Sequence, residues 1–328
     1  MRATLCWVGT LLLLGAGLGA GAVEDGEGAI EGLPGPEDVV LDGARLLVSS
    51  EDRRQPGPDS GAIFGVDLAT HEVEELPRIG DPEGLSFHPH GIDLVTGDDG
   101  VKRLYVISHR REGEGADHAV VVYEVLPNGL SFLELLEDPH LTSPNDLAAL
   151  PDGGIYVTND RADADSWNEA VFALKKATVA YCDADRQWSV GAARLAMPNG
   201  IAIDGEHVIV ALTRENAVIR FRRGDDGALV EREHLATLKG PDNLTVDGRE
   251  VLVATHEKMA KFMAHYRNPA RRSPTRVYRI SLDDGVVRRV YDDDGGTISA
   301  ASVAVPHAGA LYLGQVFEPF VLKVSEGE

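Results

Sequence analysis

A short pattern that occurs six times along this chain constrains its fold more than any other feature. In each copy, two small or polar residues precede alternating apolar residues, a turn and a second apolar run. The first residues of successive pairs are 53, 55, 54, 43 and 59 positions apart. Repeats of about 40–50 residues that contain several strands are typical of β-propeller blades. The pairs are Glu37-Asp38, His90-Gly91, Asn145-Asp146, Asn199-Gly200, Asp242-Asn243 and Ala301-Ser302.

Six copies of this unit predict an all-β chain that folds as a six-bladed β-propeller with a central metal channel and short helical insertions. We assign residues 37–328 to the propeller and interpret residues 24–36, which are polar and rich in Gly and Pro, as a linker. Residues 163–176 and 258–272 interrupt the strand pattern, so we expect the helical insertions there. The second insertion should lie on the face of the polar pairs, where it either forms a rim or only packs on its blade.

Residues 1–23 have the pattern of an export signal. Arg2 is the only charged residue before Glu24. An apolar run over residues 5–14 precedes a small-x-small motif at residues 20–22. This order is typical of a cleaved signal peptide, so we predict an exported protein, either secreted or periplasmic. An uncleaved leader that retains the protein at a membrane is the alternative.

The chain is strongly acidic, because 53 Asp and Glu residues against 31 Lys and Arg give a formal net charge of −22. A nucleic-acid partner would need clustered basic residues. Anionic lipid headgroups would repel this surface, so membrane contact is expected only through the leader. Cys6 lies in the leader, which leaves Cys182 as the only cysteine of the mature chain. No intrachain disulfide is then possible, and we interpret Cys182 as a buried, inert thiol.

The innermost strand of each propeller blade runs along the central channel, so the six pairs should converge at one mouth of it. Together they supply four carboxylates, three carboxamides and one histidine. No Lys or Arg occupies the equivalent positions, so a bound cation, proton uptake or water must compensate the buried charges. Oxygen ligands suit a hard cation, and calcium accepts about six to eight of them. Zinc is disfavoured because only one histidine and no cysteine join the ring.

Two histidines are placed to act beside that cation. His90 occupies the pair position of the second blade, and His109 ends the next strand of that blade. Antiparallel pairing brings the end of one strand beside the start of its neighbour, and two adjacent histidines can act as a general base and a proton shuttle. His256 ends the equivalent strand of the fifth blade and is a weaker candidate for the rim. A structural interpretation is given to His88, His118, His140, His234 and His265.

The sequence contains no GxSxG nucleophile elbow, P-loop, Rossmann fingerprint or HExxH motif. The motifs that it does contain resemble, in their order, those of the paraoxonase/arylesterase family, which is related to the gluconolactonase/regucalcin group. The resemblance extends over almost the whole mature chain, blade by blade. It depends on Glu37-Asp38, His90-Gly91-Ile92, His109, Asn145-Asp146, Thr158-Asn159-Asp160, Asn199-Gly200-Ile201 and Asp242-Asn243.

The resemblance implies two calcium ions in the channel, with His90 and His109 as a catalytic dyad. The catalytic ion would be held by Glu37, Asn145, Asn199, Asp242 and Asn243. The deeper, structural ion would be held by Asp38, Asp146 and the backbone carbonyl of Ile92.

The chain departs from the family pattern at three places. Animal members carry a disulfide that joins the chain ends, whereas this mature chain has no cysteine near either end, so closure of the propeller must depend on strand pairing. Met197 stands two residues before Asn199, where relatives often place an aromatic residue. The loop at residues 51–60, which should overhang the pocket, is polar and charged. The last two differences concern the substrate rather than the chemistry.

These observations predict a calcium-dependent hydrolase that acts on small-molecule lactones, with aryl esters as a second substrate class. The metal would polarise the carbonyl group while His90, assisted by His109, takes a proton from the attacking water. One alternative is a sugar-lactone hydrolase of the gluconolactonase type. Another is a non-catalytic propeller in which calcium is only a structural pin and the same face binds a protein.

Overall fold

The structure, a computed structural model, describes residues 28–55, 57, 60–109, 118–163 and 167–326. These residues form six sheets, which are antiparallel apart from one short edge strand. The innermost strand of every sheet contacts the innermost strands of both neighbouring sheets, so the sheets close into a ring. The predicted six-bladed β-propeller is therefore confirmed.

The strands are numbered in chain order, and β1 (Gly28–Glu31) comes first in sequence but lies in the sixth blade. The first blade contains β2 (Pro36–Asp42), β3 (Arg45–Ser50), β4 (Ala62–Asp67) and β5 (Val73–Glu75). The second blade contains β6 (Arg78–Ile79), β7 (Pro89–Thr96), β8 (Lys102–His109), β9 (His118–Leu126) and β10 (Gly129–Leu136). The third blade contains β11 (Pro144–Ala149), β12 (Ile155–Asn159), β13 (Ala177–Cys182) and β14 (Trp188–Leu195).

The remaining blades follow the same plan. The fourth blade contains β15 (Pro198–Asp204), β16 (His207–Leu212), β17 (Ala217–Arg223) and β18 (Leu229–Thr237). The fifth blade contains β19 (Pro241–Asp247), β20 (Glu250–Thr255), β21 (Thr275–Ser281) and β22 (Val287–Asp293). The sixth blade contains β23 (Ala301–His307), β24 (Ala310–Gln315), β25 (Phe320–Ser325) and β1.

Among the residues that the structure describes, two helices are inserted, one between the second and third strands of the third blade and one at the same place in the fifth. They are α1 (Trp167–Phe172) and α2 (Met259–Arg267), and they lie within the two stretches where insertions were predicted. No helix in the part of the chain that the structure describes is both long and apolar enough to cross a bilayer. The leader predicted over residues 1–23 lies outside the described residues, and export stays a prediction.

Six hydrophobic clusters hold the blades together, and each cluster joins two neighbouring blades. In the cluster between the first and sixth blades, Val39 and Leu46 pack with Val303 and Tyr312. This packing follows from the strand period of two, which places alternate side chains on opposite faces of a blade. The apolar core therefore lies between the blades, and the polar residues of the inner strands are left to the channel.

Each innermost strand is irregular where its polar pair lies. All six strands shift register with their partner within the first few residues. A bulge breaks the strict alternation of side chains, so both residues of a pair can face the channel. Proline is tolerated at the first position of a strand, where its missing N–H is not needed. Five of the strands begin with it, at Pro36, Pro89, Pro144, Pro198 and Pro241.

The linker predicted over residues 24–36 is wrong from Gly28 onward. β1 pairs antiparallel with β25 along its whole length. Ile30 and Leu33 are buried in the cluster between the first and sixth blades. The first and last strands of the propeller therefore close the ring, in the absence of a disulfide at the chain ends.

Shortening Ile30 tests how much this closure stabilises the fold. Its side chain is 4 % exposed, and truncating a buried Ile to Ala costs about 2–5 kcal/mol. We expect Ile30→Ala to lower the free energy of unfolding in urea by an amount in that range. Ala29→Ser, on the exposed side of β1, is the matched control. Equal unfolding free energies for the two variants would show that β1 does not hold the ring closed.

Candidate active site and metal centre

Two cavities in the central channel contain most of the predicted site residues. The outer cavity has a volume of about 730 Å³, and its lining includes Glu37, His90, Asn145, Asn199 and Asp242. The inner cavity has a volume of about 500 Å³, lies further along the inner strands, and its lining includes Asp38, Ile92 and Asp146. Polar pairs from five blades thus meet in the channel, and they are divided between two depths rather than gathered in one ring.

Small residues in alternate blades make room for the larger ones. The second residue of each pair is an acid or amide in blades 1, 3 and 5, and glycine or serine in blades 2, 4 and 6. A Cβ atom at Gly91 would lie 2.6 Å from the Cα of Asp146, and one at Gly200 would lie 2.6 Å from the Cα of Asn243. The missing side chains at these glycines allow neighbouring pairs to pack directly against each other.

Hydroxyl groups from the preceding blade hold the backbone of two site residues. Ser49 Oγ donates to the carbonyl of His90 at 2.6 Å. Thr158 Oγ1 donates to the carbonyl of Asn199 at 2.6 Å. Both hydroxyls lie near the end of the second strand of their blade. The position of a site residue therefore depends on the neighbouring blade as well as on its own.

Four buried oxygen atoms at the site have no hydrogen-bond partner among the described residues: Glu37 Oε2, Asn145 Oδ1, Asn199 Oδ1 and Asn243 Oδ1. Leaving a buried polar group unsatisfied costs about 1–3 kcal/mol. Within the described ranges, no three His, Cys, Asp or Glu side chains form a group that could hold a metal ion. A cation here would therefore depend on carboxamide as well as carboxylate oxygens, a donor set that fits calcium.

Asp38 and Asp146, two of the carboxylates that line the inner cavity, lie in a poor environment for negative charge. Burial raises the pKa of Asp38 and that of Asp146 well above the usual value. Repulsion adds to this effect, from Glu37 on the pKa of Asp38 and from Asp38 on the pKa of Asp146. Backbone N–H groups act in the opposite direction, since Ile92 donates to Asp38 at 2.7 Å and Ile201 donates to Asp146 at 2.9 Å. Protons or a cation would relieve the repulsion.

Neighbouring side chains hold Glu37 in its charged form. Burial alone would raise its pKa, but His90 and Arg53 lower the pKa of Glu37 to about 2. His90 Nε2 lies 3.4 Å from Glu37 Oε1, and an Arg53 guanidinium nitrogen lies 3.7 Å from Oε2. The equivalent strand positions lack a basic residue, as the sequence showed, but Arg53 reaches the site from the loop at residues 51–60. That loop borders the outer cavity through Arg53, in line with the expectation that it overhangs the pocket.

The structure brings three histidines into one row. His90 Nδ1 lies 2.8 Å from His109 Nε2, and His109 Nδ1 lies 3.0 Å from His118 Nδ1. Burial lowers the pKa of His109 well below its usual value, and positive charge on His90 or His118 would lower it further. The pairing of His90 with His109 follows the sequence prediction. His118, interpreted as structural, instead lies directly opposite His109 in the β8–β9 pair.

Two more histidines pair with buried carboxylates beside the channel mouth. His256 Nε2 lies 2.7 Å from Asp242 Oδ2, and His256 lines the outer cavity. His88 Nδ1 lies 2.7 Å from Glu51 Oε1. His88, Glu51 and His109 line a neighbouring cavity of about 560 Å³. His88 was interpreted as structural, and its position two residues before His90 was the sequence signal that could have marked it.

The other singled-out residues have the structural surroundings that were predicted for them. His140 Nδ1 contacts Asp138 at 2.6 Å, and His234 Nε2 contacts the Thr237 hydroxyl at 3.0 Å. His265 is fully buried beside Glu318. Cys182 is buried, and burial raises the pKa of its thiol to about 11.

Helix α2 forms part of the wall of the outer cavity. Its Met259, Phe262, Met263 and Arg267 line that cavity, and Met197 lines it from the start of the fourth blade. The insertion therefore contributes to the site, which was one of the two roles left open for it.

A family model described as Arylesterase matches residues 50–321. The chain belongs to the arylesterase family. The serum paraoxonase/arylesterase 1 of Mus musculus is 29% identical to this arylesterase-family chain over an alignment of 302 residues, and the match covers 86% of this chain and 84% of that protein. The serum paraoxonase/lactonase 3 of Homo sapiens is 25% identical over 299 residues, with shares of 86% and 84%.

Solved structures share the fold of this arylesterase-family chain at lower sequence identity. A gluconolactonase from Xanthomonas campestris superposes with a TM-score of 0.61 at 18% identity, covering 91% of this chain and 89% of that chain. A calcium-binding protein, regucalcin, from Agrobacterium tumefaciens gives a TM-score of 0.56 at 12% identity, covering 92% and 95%. At these identities the likeness shows the propeller fold alone.

Cation removal should make the stability of this arylesterase-family protein fall as the pH rises. The pKa values of Asp38 and Asp146 are raised in the folded protein, so the cation-free folded state binds more protons than the unfolded state. That contribution is lost as the pH rises through the raised pKa values. We expect the melting temperature in EDTA to fall between about pH 5 and about pH 8, and to fall less with calcium.

A double variant identifies the carboxylates responsible. Asp38→Asn combined with Asp146→Asn should make the curve measured in EDTA shallower, whatever it does to the absolute melting temperature. Asp93 lines the same cavity, and because burial raises its pKa to about 6, it should keep part of the slope. Asp204→Asn is the matched control, because Asp204 is the last residue of β15 and not part of the inner-cavity lining. A flat wild-type curve in EDTA would mean that the inner-cavity carboxylates are fully solvated.

Proposed function

We propose that this protein is a calcium-dependent hydrolase of lactones and aryl esters. The observation that carries the proposal is one site that combines four buried oxygens, none with a hydrogen-bond partner among the described residues, with the pair of His90 and His109. Membership of the arylesterase family supports the reaction class, since relatives bear the names paraoxonase, arylesterase and lactonase. The reaction adds water across the acyl C–O bond and yields an acid and an alcohol.

The proposed ligand sets follow the two cavities. Glu37, Asn145, Asn199, Asp242 and Asn243 would hold a calcium ion at the outer cavity. Asp38, Asp146 and the carbonyl of Ile92 would hold another at the inner cavity. When bound, the outer calcium ion supplies a Lewis acid that stabilises negative charge on the substrate carbonyl oxygen. The calcium-binding regucalcin of the same fold supports the choice of ion.

His90 is the general base in this proposal. Its Nδ1 contacts His109 at 2.8 Å, which leaves Nε2 for the outer cavity, 3.4 Å from Glu37. With its own proton on Nδ1, neutral His90 donates to His109 and can accept a proton from the attacking water at Nε2. The Glu37 carboxylate then stabilises the imidazolium. The proton returns to the alcohol oxygen when the acyl C–O bond breaks.

His109 is a positioning residue for His90. Its pKa lies well below the usual value because of burial, so its ring is neutral near pH 7 and can accept a hydrogen bond at Nε2. The remaining nitrogen, Nδ1, can then donate to His118 at 3.0 Å. This order of donors holds His90 in the tautomer that the general base requires.

The walls of the outer cavity favour substrates with an apolar part. A sugar lactone would place several hydroxyl groups against apolar side chains that offer them no partner. Arg53, from the polar loop, is the observation that favours the sugar-lactone alternative, because it lines the same cavity. The apolar lining residues are Val171, Met197, Met259, Phe262, Met263 and Val316.

A substrate panel separates these candidates. With calcium, we expect kcat/KM for an alkyl-substituted δ-lactone and for phenyl acetate to exceed that for gluconolactone by at least about tenfold. EDTA should remove the activity, and added calcium should restore it. The rates are followed as acid release in a pH-stat. Preference for gluconolactone would favour the sugar-lactone alternative, and equal rates with and without EDTA would contradict a catalytic role for calcium.

Replacing the proposed base separates an enzyme from a calcium-pinned binding protein. His90→Gln should lower kcat for the best lactone by about 10²–10⁴-fold, because general base catalysis contributes that much. Its melting temperature and calcium content should stay close to those of the wild type. His140→Gln, which changes a histidine paired with Asp138 outside the outer-cavity lining, is the matched control. Full activity in His90→Gln would contradict the proposed mechanism.

A further inference from the structure

The outer cavity carries positive charge that the proposed hydrolysis does not use. Among its lining residues are three arginines, Arg53, Arg214 and Arg267, which lie beside mostly apolar side chains. Its lining carboxylates are Glu37 and Asp242, which are the proposed cation ligands. The lining therefore has more positive than negative side chains even before a divalent ion is added. This is unexpected in a chain whose formal net charge is −22.

Two of the three arginines have no carboxylate partner among the described residues. Arg53 lies near Glu37 and Glu51. The Arg214 guanidinium donates to the carbonyl of Val171 at 3.0 Å, and its Nε is buried without a hydrogen-bond partner. Arg267, at the last position of α2, forms no ion pair within the described ranges. Both guanidinium groups can therefore bind an external acceptor.

Carboxylates close to these arginines in sequence are committed elsewhere. Glu215, which follows Arg214, contacts Lys175 at 2.6 Å and Arg232 at 2.9 Å. Glu257, which directly precedes the α2 insertion, contacts Arg276 at 3.1 Å. Although the chain has 53 Asp and Glu residues, these two carboxylates therefore do not neutralise Arg214 and Arg267.

We propose, on the basis of the proposed hydrolase function, that the substrate carries a carboxylate at the end remote from its scissile carbonyl. Arg214 and Arg267 bind that carboxylate through charge-assisted hydrogen bonds, for which the planar guanidinium is well suited. The apolar body of the substrate packs on Phe262 and Met263, and its carbonyl lies toward His90. A cavity of about 730 Å³ is within the range of small-molecule sites. The substrate class is therefore an amphiphilic, monoanionic ester or lactone.

A pair of matched esters tests the inference. Para-nitrophenyl hexanoate and the para-nitrophenyl monoester of adipic acid have the same leaving group and acyl length, and only the second bears a terminal carboxylate. We expect the wild type to prefer the monoester, and each of Arg214→Gln and Arg267→Gln to lower the monoester-to-hexanoate ratio of kcat/KM by about tenfold. Arg271→Gln is the matched control. Arg271 is exposed, lies in the same insertion as Arg267 and does not line the cavity, so this variant should keep the wild-type ratio.

A binding measurement separates failure of the subsite from failure of the proposed activity. Phenylbutyrate and its neutral amide are titrated into the calcium-loaded protein by calorimetry, with no reaction needed. Tighter binding of phenylbutyrate in the wild type, lost in the double variant of Arg214→Gln and Arg267→Gln, supports the subsite even if no ester is hydrolysed. Equal affinities for acid and amide, or a preference that the double variant retains, would overturn the subsite and leave the hydrolase proposal intact.

Discussion

Close packing of polar residues at the start of six inner strands is the constraint on which the rest of this structure depends. The bulges allow both residues of a pair to face the channel, and the closing of the ring brings pairs from different blades together. The oxygen atoms of Asn145, Asn199 and Asn243 are then buried without protein partners. Such an arrangement is unfavourable unless a ligand completes it. The same oxygens therefore support both the proposed cation and the proposed catalytic site.

The surrounding blades hold this arrangement in place. Glycine at positions 91 and 200 allows the neighbouring acid or amide to pack within van der Waals distance, and hydroxyls such as Ser49 and Thr158 bind the backbone of the next blade. The inter-blade apolar clusters fix the distances between strands. The site is thus set by contacts between blades, whereas the walls above it come from α2 and from loops. Changes in these walls can therefore alter substrate preference while the polar residues of the channel stay the same.

Sequence periodicity predicted the propeller, the inner strands and the polar pairs that meet in the channel, because each depends on a local pattern that recurs from blade to blade. The strand β1 was missed because its four residues show little alternation and its partner lies at the other end of the chain. His118 was missed because its contact with His109 depends on the register of β8 and β9, and a single histidine in a strand carries no sign of that register. Arg53 and Arg214 lie just after the ends of strands. There, no repeating pattern of apolar and polar residues predicts which way a side chain points.

The central claim is that oxygens from different blades share one cation at the mouth of the channel. Diffraction from crystals grown with calcium, with anomalous data collected, tests this claim most directly. We expect an anomalous peak in the outer cavity, with oxygens of Glu37, Asn145, Asn199 and Asp242 within about 2.3–2.6 Å of it. A cavity without such a peak, in which these side chains are hydrogen-bonded to water instead, would contradict the account.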